Sequence, residues 1–310
     1  MQKNNLRNIT KKKRKNKNIM RRMTIITIIS ALTLVTVYAG IIFLPTFLYS
    51  HGYDKKTIAG RLIIGHRGGA GIGEENSLTC LKQGIETGAD MIEIDLHQTH
   101  DGIIVVNHDP TVNRTTNGKG TIAKMTYGEI SRLRIKSKNG KLTNDHVATF
   151  EEVLQLFANE RAQGHNVRLL IEIKYPYKNA YDGIERRMLD QIKAHDAESW
   201  IVVQSFADDV IEKVHKLDPK VRIEKLLICK LPFLPYIIDG FRITRFSYEK
   251  YNYVASFNFY YHALTHSLIA DIHRNGKEVK MWTVDELDAP LMDVDGIITD
   301  RPDVWCGERM

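Results

Sequence analysis

Short apolar runs alternate with amphipathic stretches along the last 250 residues of this 310-residue chain. Each run stops at a turn residue or a charge, which is typical of buried strands. This pattern predicts strands at 62–66, 91–96, 103–107, 168–174, 200–205, 222–227, 253–258, 278–284 and 295–299. It predicts helices at 77–87, 149–161, 180–195, 207–217 and 265–275, the second with a capping box from Thr149 to Glu152. Such alternation favours βαβ units and a mostly parallel sheet.

The stretch 61–310 is close to the roughly 250 residues of a TIM-type (β/α)8 barrel. Nine predicted strands are one too many for such a barrel. The connection 98–102 is too short for a parallel crossover, which needs about a dozen residues. We therefore expect the second and third strands to form a β-hairpin, with Glu93 opposite Asn107 and His108 beside the carboxylates. A doubly wound open sheet is the alternative, but the glycines after the first strand do not form the dinucleotide-binding fingerprint.

Positive charge is concentrated in residues 1–22, which hold ten lysines and arginines and no acidic residue. Without them the net charge of +7 becomes −3, from 34 basic and 37 acidic residues. The main body is therefore mildly acidic, and we expect no nucleic-acid partner. The three cysteines, Cys80, Cys229 and Cys306, show no metal-type spacing and predict no disulfide framework.

Residues 23–49 carry no formal charge and are long enough to cross a bilayer, which needs about 20 apolar residues. A cleaved signal peptide is the alternative. The apolar region of a signal peptide usually runs about 7–15 residues and ends at a cleavage site of the Ala-x-Ala type, whereas this run is longer and no such site lies near it. We therefore expect a single-pass transmembrane anchor at 23–49 and a linker at 50–60. Because basic residues favour the cytoplasmic side, we expect 1–22 to be a cytoplasmic tail and 61–310 to be an extracytoplasmic domain at the cell membrane.

Three carboxylates lie at or near predicted strand ends: Glu93, Asp95 and Glu172. Period-two alternation places Glu93 and Asp95 on one face of their strand. In a barrel mouth the three carboxylates would repel one another strongly unless a cation neutralises them. Oxygen ligands alone suit Mg²⁺ or Ca²⁺, so we predict one divalent cation here. Salt bridges to Lys174 are the alternative.

Two histidines, His66 and His108, also stand at predicted strand ends and can divide the proton work of a hydrolysis. One would take a proton from the attacking hydroxyl, and the other would give one to the leaving oxygen. Arg67 has the forked geometry that binds two phosphate oxygens, and Lys174 adds positive charge where negative charge develops. A cation, an arginine and a lysine together indicate an anionic substrate, and a phosphodiester fits best.

An ordered set of short motifs runs from about residue 61 to 304. It comprises His66-Arg67-Gly68, Glu75-Asn76-Ser77, Glu93-Ile94-Asp95, Thr99-His100-Asp101-Gly102, His108-Asp109, Glu172-Ile173-Lys174, Gln204-Ser205-Phe206, Met281-Trp282-Thr283-Val284 and Asp295-Gly296-Ile297-Ile298-Thr299-Asp300-Arg301-Pro302. The set resembles the glycerophosphodiester phosphodiesterase family. This resemblance implies a phospholipase C-like TIM barrel that hydrolyses glycerophosphodiesters to glycerol 3-phosphate and an alcohol.

The resemblance also implies roles for individual residues. The divalent cation would bind the three carboxylates, and His66 and His108 would be the acid–base pair. Arg67 and Lys174 would hold the phosphate. Trp282 would line the glycerol side of the site, with a core aromatic as the alternative.

Two stretches depart from the family pattern or have no clear assignment. Only ten residues separate Val284 from Asp295, so we expect a stunted last barrel helix. We expect the stretch 231–238 to be a buried loop or short helix, with an apolar lip that meets a membrane or an acyl chain as the alternative. Eight Phe and Tyr residues between 246 and 261 are expected to make strand and core contacts.

The predicted function is that of a membrane-anchored, metal-dependent glycerophosphodiesterase. One alternative is a lysophospholipase D-like activity on a lipid that keeps one acyl chain. Another is a catalytically silent, anchored protein that binds phosphodiester head groups. The attacking group is either water or the substrate's own 2-hydroxyl.

Overall fold

The computed structural model describes residues 58–175, 181–231, 233–240, 242–287 and 291–309, together with residues 33 and 289. The predicted tail and nearly all of the predicted anchor and linker lie outside these residues, so the domain limits stay predictions. In the part of the chain that the structure describes, no helix is both long and apolar enough to cross a membrane. All elements described below belong to the unit Gly52–Met310.

From residue 58 onward the described residues form twelve strands and seven α-helices. The strands are β1 (Leu62–Gly65), β2 (Met91–Gln98), β3 (Ile104–Val106), β4 (Arg168–Ile173), β5 (Ile201–Ser205), β6 (Arg222–Leu227), β7 (Cys229–Lys230), β8 (Tyr236–Asp239), β9 (Arg242–Arg245), β10 (Val254–Tyr260), β11 (Glu278–Trp282) and β12 (Gly296–Thr299). The helices are α1 (Leu78–Glu86), α2 (Tyr127–Ile130), α3 (Phe150–Ala162), α4 (Ile184–Ala194), α5 (Asp208–Leu217), α6 (His266–Arg274) and α7 (Pro302–Gly307).

Eight of these strands close into a parallel barrel. Around the barrel the order is β1, β2, β4, β5, β6, β10, β11 and β12. The barrel closes at β1, which pairs with β12 through Leu62 and Gly296 and with β2 through Ile64 and Met91. An open sheet would have two free edges, so this closure confirms the predicted TIM-type barrel and excludes the doubly wound alternative.

Apolar side chains fill both sides of the barrel wall. A small layer inside the barrel consists of Ile64, Met91, Leu170, Val202 and Ile298. A larger cluster lies between the strands and the surrounding helices. Strand β2 is buried along its whole length. Its carboxylates are therefore carried on a rigid wall in surroundings with little water.

Helix α3 begins with the predicted capping box. The Thr149 hydroxyl accepts a hydrogen bond from the Glu152 N–H at 3.1 Å, and the Glu152 carboxylate accepts one from the Thr149 N–H at 2.8 Å. Two backbone donors that an isolated helix start would leave unpaired are thus satisfied.

Strand β3 is the ninth predicted strand, and it pairs antiparallel with the end of β2, as the short connection indicates. The predicted register was wrong by two residues. Leu96 faces Val106, so Asp95 rather than Glu93 lies opposite Asn107, whose N–H donates to the Asp95 carbonyl at 3.0 Å. The turn causes this difference. The Thr99 N–H donates to the Ile103 carbonyl at 2.9 Å, so the paired strands extend further and the loop between them is shorter than the sequence suggests.

No helix forms in the described residues between β11 and β12, which confirms the stunted last barrel helix.

The aromatic stretch 246–261 supplies strand β10 and buried contacts, also as predicted. Its Phe246, Tyr251, Phe257 and Phe259 side chains are all buried.

The prediction of a buried loop or short helix at 231–238 was wrong. Strands β7, β8 and β9 form a separate antiparallel sheet, called the β7–β9 sheet below. In β8 Tyr236 is exposed, Ile237 is buried and Asp239 is buried. This alternation, which spans only four residues, indicates a strand with one face against the barrel and one face outward.

Candidate active site

The three predicted carboxylates meet inside the barrel near the carboxyl ends of β2 and β4. Glu93 and Asp95 lie on the same face of β2, and Asp95 pairs in register with Glu172 of β4. One carboxylate oxygen from each residue lies within 4.8 Å of the others, and all three side chains are buried. The structure therefore brings together the residues that the sequence singled out as a cation site.

Lys174 supplies positive charge to this cluster. Its ammonium nitrogen lies 2.8 Å from Asp95 Oδ1 and 2.9 Å from Glu172 Oε1. Burial alone would raise the pKa of Asp95, but Lys174 and Arg67 outweigh burial and hold that pKa well below its usual range. Burial and the charge of Asp95 raise the pKa of Glu93 to about 8. The protein's own groups therefore do not stabilise the ionised form of Glu93, which without a cation would hold its proton at neutral pH.

A divalent cation fits this donor set. Glu93 Oε1 is buried and accepts no hydrogen bond from the described residues. Its second oxygen accepts the Arg67 N–H at 2.9 Å, which fixes the carboxylate in place. Burial of an ionised carboxylate without a partner is costly, and a cation would remove that cost. Three oxygen donors suit either Mg²⁺ or Ca²⁺, and occupancy by one of them stays a prediction.

Arg67 follows β1 in a backbone conformation that favours glycine, with φ of 51°. Non-glycine residues held in this region are strained by about 1–2 kcal/mol, and such strain is common at active sites. Its guanidinium lies 3.1 Å from Glu75 Oε1 and 3.6 Å from Asp95 Oδ2. The predicted phosphate-binding group thus stands beside the carboxylate cluster.

His66 directly follows β1 and faces an aspartate from the loop after β12. Its Nδ1 lies 2.6 Å from Asp300 Oδ1. Burial alone would lower the pKa of His66, but the hydrogen bond to Asp300 and the charge of Glu93 outweigh burial and raise it. Asp300 was part of a motif in the sequence, and only the barrel closure between β1 and β12 identifies it as the partner of His66.

His108 lies just beyond β3, and its Nδ1 lies 2.9 Å from Asp109 Oδ1. Burial and the charge of Lys174 lower the pKa of His108. Arg114 binds Asp109 at 2.8 and 3.0 Å and Glu75 at 2.6 and 2.8 Å. Arg114 therefore joins the loop that carries His108 to the loop that carries Arg67. No periodic pattern marks Arg114, and sequence reasoning missed it.

Two further positioning contacts were also missed. The Asn76 amide donates to Asp95 Oδ2 at 2.8 Å and holds that carboxylate from the side. His97 Nε2 lies 3.1 Å from the His108 carbonyl, and its Nδ1 lies 2.6 Å from the Tyr181 hydroxyl. Period-two alternation places His97 on the same face of β2 as Asp95, and this was the signal that the sequence offered.

Trp282 lies at the end of β11, at the same edge of the barrel. Its indole N–H donates to the Asn258 carbonyl at 3.0 Å. The ring packs against Phe206 at 5.8 Å and Tyr260 at 5.4 Å and is partly exposed. Its predicted contact with glycerol stays a prediction.

Comparisons with known proteins point in one direction. The profile of the Glycerophosphoryl diester phosphodiesterase family matches residues 66–304. A glycerophosphodiester phosphodiesterase of Caldanaerobacter subterraneus is 33% identical over 247 residues, which cover 78% of this chain and 95% of the relative.

Solved structures show the same fold. A Silicibacter pomeroyi protein assigned as a glycerophosphoryl diester phosphodiesterase has a TM-score of 0.69 and 25% identity, covering 82% of this chain and 96% of that one. An Oleispira antarctica phosphodiesterase in complex with the product sn-glycerol-3-phosphate has a TM-score of 0.66 and 20% identity, covering 80% and 96%.

Proposed function

The chain belongs to the glycerophosphoryl diester phosphodiesterase family, and on that basis we propose which residues carry its reaction. It is a glycerophosphodiester phosphodiesterase, and the expected products are glycerol 3-phosphate and an alcohol. The observation that carries the proposal is a set of three buried carboxylates within 4.8 Å, beside two histidines that each bond an aspartate. The product complex of the Oleispira antarctica enzyme supports glycerol 3-phosphate as the retained half.

The two histidines would carry the protons. With Nδ1–H of His66 donating to Asp300, and Nδ1–H of His108 donating to Asp109, each Nε2 remains available to the substrate. One histidine would accept the proton of the attacking hydroxyl, and the other would protonate the leaving alcohol.

The remaining groups would balance the negative charges of the phosphate and of the carboxylates. A divalent cation bound by the carboxylates would neutralise the phosphate oxygens. Arg67 would add a fixed guanidinium to the same anion. Lys174 balances Asp95 and Glu172, which reduces the repulsion that an approaching phosphodiester would meet.

The direct test is release of glycerol 3-phosphate from glycerophosphocholine by wild type and by His66→Ala. Loss of an acid–base group is expected to lower kcat by about 10²–10⁴-fold. His195→Ala is the matched control, because His195 pairs with Glu151 at 2.6 Å outside the site. Unchanged turnover in a folded His66→Ala protein would remove His66 from the mechanism and would favour a binding role for the site.

A substrate with p-nitrophenol as the leaving group assigns the two histidine roles. This leaving group needs little protonation, so the variant that lacks the proton donor regains activity on it. The variant that lacks the proton acceptor does not regain activity on it.

A glycerophosphodiester analogue without the 2-hydroxyl identifies the nucleophile. Only an enzyme that uses water as the nucleophile still cleaves it.

A lysophospholipase D-like activity is the second candidate. The observation that favours it is a group of exposed apolar side chains on the β7–β9 sheet and its first turn, including Ile243 and Phe233. Glycerophosphocholine and lysophosphatidylcholine differ by the acyl chain. A higher kcat/KM on the soluble diester supports glycerophosphodiesterase activity, and the reverse supports the lipid.

We also propose a single-pass anchor at 23–49 with an extracytoplasmic catalytic domain. The support is an uncharged run of 27 residues that follows ten basic residues. Protease added to intact cells should then degrade the domain 61–310. Protection of the domain in intact cells, or its extraction by alkaline carbonate, would contradict this topology.

A further inference from the structure

Exposed apolar side chains are concentrated on one small part of the molecule. Four large hydrophobic side chains of the β7–β9 sheet and of the turn between β7 and β8 are exposed: Phe233 at 99%, Leu234 at 46%, Tyr236 at 40% and Ile243 at 66%. Single exposed apolar residues are normal, but a group within eleven residues marks an interaction site. These four side chains are called the apolar tip below.

The sheet register explains why the apolar tip faces outward. Tyr236 pairs with Arg245 and Ile238 with Ile243, so Tyr236, Ile243 and Arg245 share one face. The opposite face is already filled, because Ile237 is fully buried there. Tyr236 and Ile243 therefore cannot turn inward without breaking the sheet.

Buried charges fasten this sheet to the barrel. The Lys225 ammonium is fully buried and lies 3.1 Å from Asp239 of β8 and 3.0 Å from Asp208 of α5. The Arg242 guanidinium lies over the Tyr175 ring, 5.2 Å from its centroid. The tip is thus held on a fixed support rather than on an independent loop.

The sheet stands beside the mouth of the site. Strand β7 begins two residues after β6 ends, at the carboxyl edge of the barrel. Tyr175, which Arg242 covers, directly follows Lys174. A Cβ on Gly240 would lie 3.9 Å from Phe206, and Phe206 packs edge-on against Trp282. A surface bound by the tip would therefore lie close to the substrate entrance.

The charged side chain on the outward face of the β7–β9 sheet is basic. Arg245 shares this face with Tyr236 and Ile243. Lys230 and Arg242 pair with Ile237 and Asp239 on the opposite face, where Arg242 lies 3.8 Å from Asp209 and Asp239 is buried against Lys225. Aromatic and aliphatic side chains flanked by Arg, Lys and Tyr are typical of segments that enter the interface of an anionic bilayer. Four side chains also fall short of the roughly 800 Å² per partner that a stable protein interface needs.

We propose that the apolar tip inserts into the surface of a bilayer that contains anionic lipid and so holds the active-site mouth against that surface. Arg245 would attract the lipid head groups, and Phe233 and Leu234 would enter the acyl boundary. This contact does not depend on catalysis.

The test places a fluorophore on the full-length chain at Leu234→Cys. The native cysteines Cys80, Cys229 and Cys306 are buried, so labelling is selective. The protein is reconstituted in phosphatidylcholine vesicles with or without phosphatidylglycerol, and acyl-brominated lipid serves as the quencher. The matched control is Leu142→Cys, which is 56% exposed on the connection between α2 and α3.

The expected result is strong quenching at position 234 with phosphatidylglycerol, weaker quenching without it, and none at position 142. Adding Phe233→Ser and Ile243→Ser should reduce the quenching at least about tenfold, because two large apolar groups no longer enter the lipid. Activity on soluble glycerophosphocholine should not change. Equal quenching at 142 and 234, or none at either, would overturn the proposal. A label response to protein concentration without lipid would assign the tip to self-association and would also overturn it.

Discussion

Each proposed catalytic histidine has its Nδ1 against an aspartate. Asp300 comes from the opposite end of the chain to His66, whereas Asp109 directly follows His108. A carboxylate at Nδ1 fixes the tautomer and the ring orientation, so Nε2 is presented to the substrate. The two aspartates are positioning residues, because they act through the histidines.

Asp300→Asn is predicted to lower kcat by about 10²–10⁴-fold with little change in KM, because the amide supports the wrong tautomer of His66. It should also shift the limb of the pH–rate profile that reports His66 to lower pH, since the hydrogen bond to Asp300 raises the pKa of that histidine. Steady-state kinetics across pH measures both effects. Asp303→Asn is the control, because Asp303 pairs with Arg301 outside the site. Equal losses in the two variants would point to a general structural effect instead.

His97 gives the protein a predicted acid sensitivity. Burial lowers the pKa of His97 from 6.5 to about 4. The unfolded chain therefore protonates His97 more readily than the folded chain does. The contribution of neutral His97 to the free energy of unfolding is full above about pH 6.5 and is lost as the pH falls toward 4. One pKa unit corresponds to about 1.4 kcal/mol, so the loss is about 3 kcal/mol.

Urea unfolding of wild type and His97→Gln between pH 7 and pH 4 measures this loss. The difference in free energy of unfolding between the two proteins should narrow as the pH falls. His165→Gln, at a half-exposed histidine near the end of α3, is the control substitution. Parallel slopes for wild type and His97→Gln would show that His97 does not titrate in this way.

Elements differ in how clearly the sequence marks them. All eight barrel strands and the capping box of α3 were predicted, because each has a long enough periodic pattern or a local signal. The β7–β9 sheet was not, because its strands have only two to four residues and Pro232 and Pro235 suggest a loop. The hairpin register depended on one additional backbone hydrogen bond, from Thr99 to Ile103. The amino-acid types at these two positions do not show that this bond forms.

The site shows the same division. Residues that project from strand ends, such as His66 and Glu93, follow from the strand pattern. Residues that hold them in place do not, because their partners are distant in sequence. Arg114 reaches back 39 residues to Glu75, and His97 reaches forward 84 residues to Tyr181. Only the folded barrel brings such pairs together.

Thr149→Ala is predicted to lower the free energy of unfolding by about 1 kcal/mol, because it removes the side-chain acceptor of the α3 capping box. Thr149→Ser keeps the hydroxyl and should stay within a few tenths of a kcal/mol of wild type. Denaturant unfolding of the two variants compares them directly. Turnover should not change, since α3 packs outside the barrel. A loss as large for Ser as for Ala would mean that the methyl group, not the cap, matters.

At the scale of the whole molecule, barrel closure gathers the chemistry at one edge. The ends of β1, β2 and β4 carry the histidine, arginine, lysine and carboxylates, and the loop after β12 returns Asp300 to His66. The carboxyl edge of such barrels is where catalytic residues collect. The family match and the shared fold make this chain a glycerophosphodiester phosphodiesterase, and the cation requirement is the central part still open to measurement.

That requirement is tested by release of glycerol 3-phosphate from glycerophosphocholine after dialysis against EDTA, with Mg²⁺ or Ca²⁺ then added back. Glu172→Gln is compared with Glu160→Gln, a buried glutamate on α3 that pairs with Lys82 outside the site. EDTA should abolish release, one of the cations should restore it, and Glu172→Gln should lose about a thousandfold in activity while Glu160→Gln keeps it. Full activity in EDTA, with Glu172→Gln as active as wild type, would contradict the metal site and leave the three carboxylates as a salt-bridge cluster around Lys174.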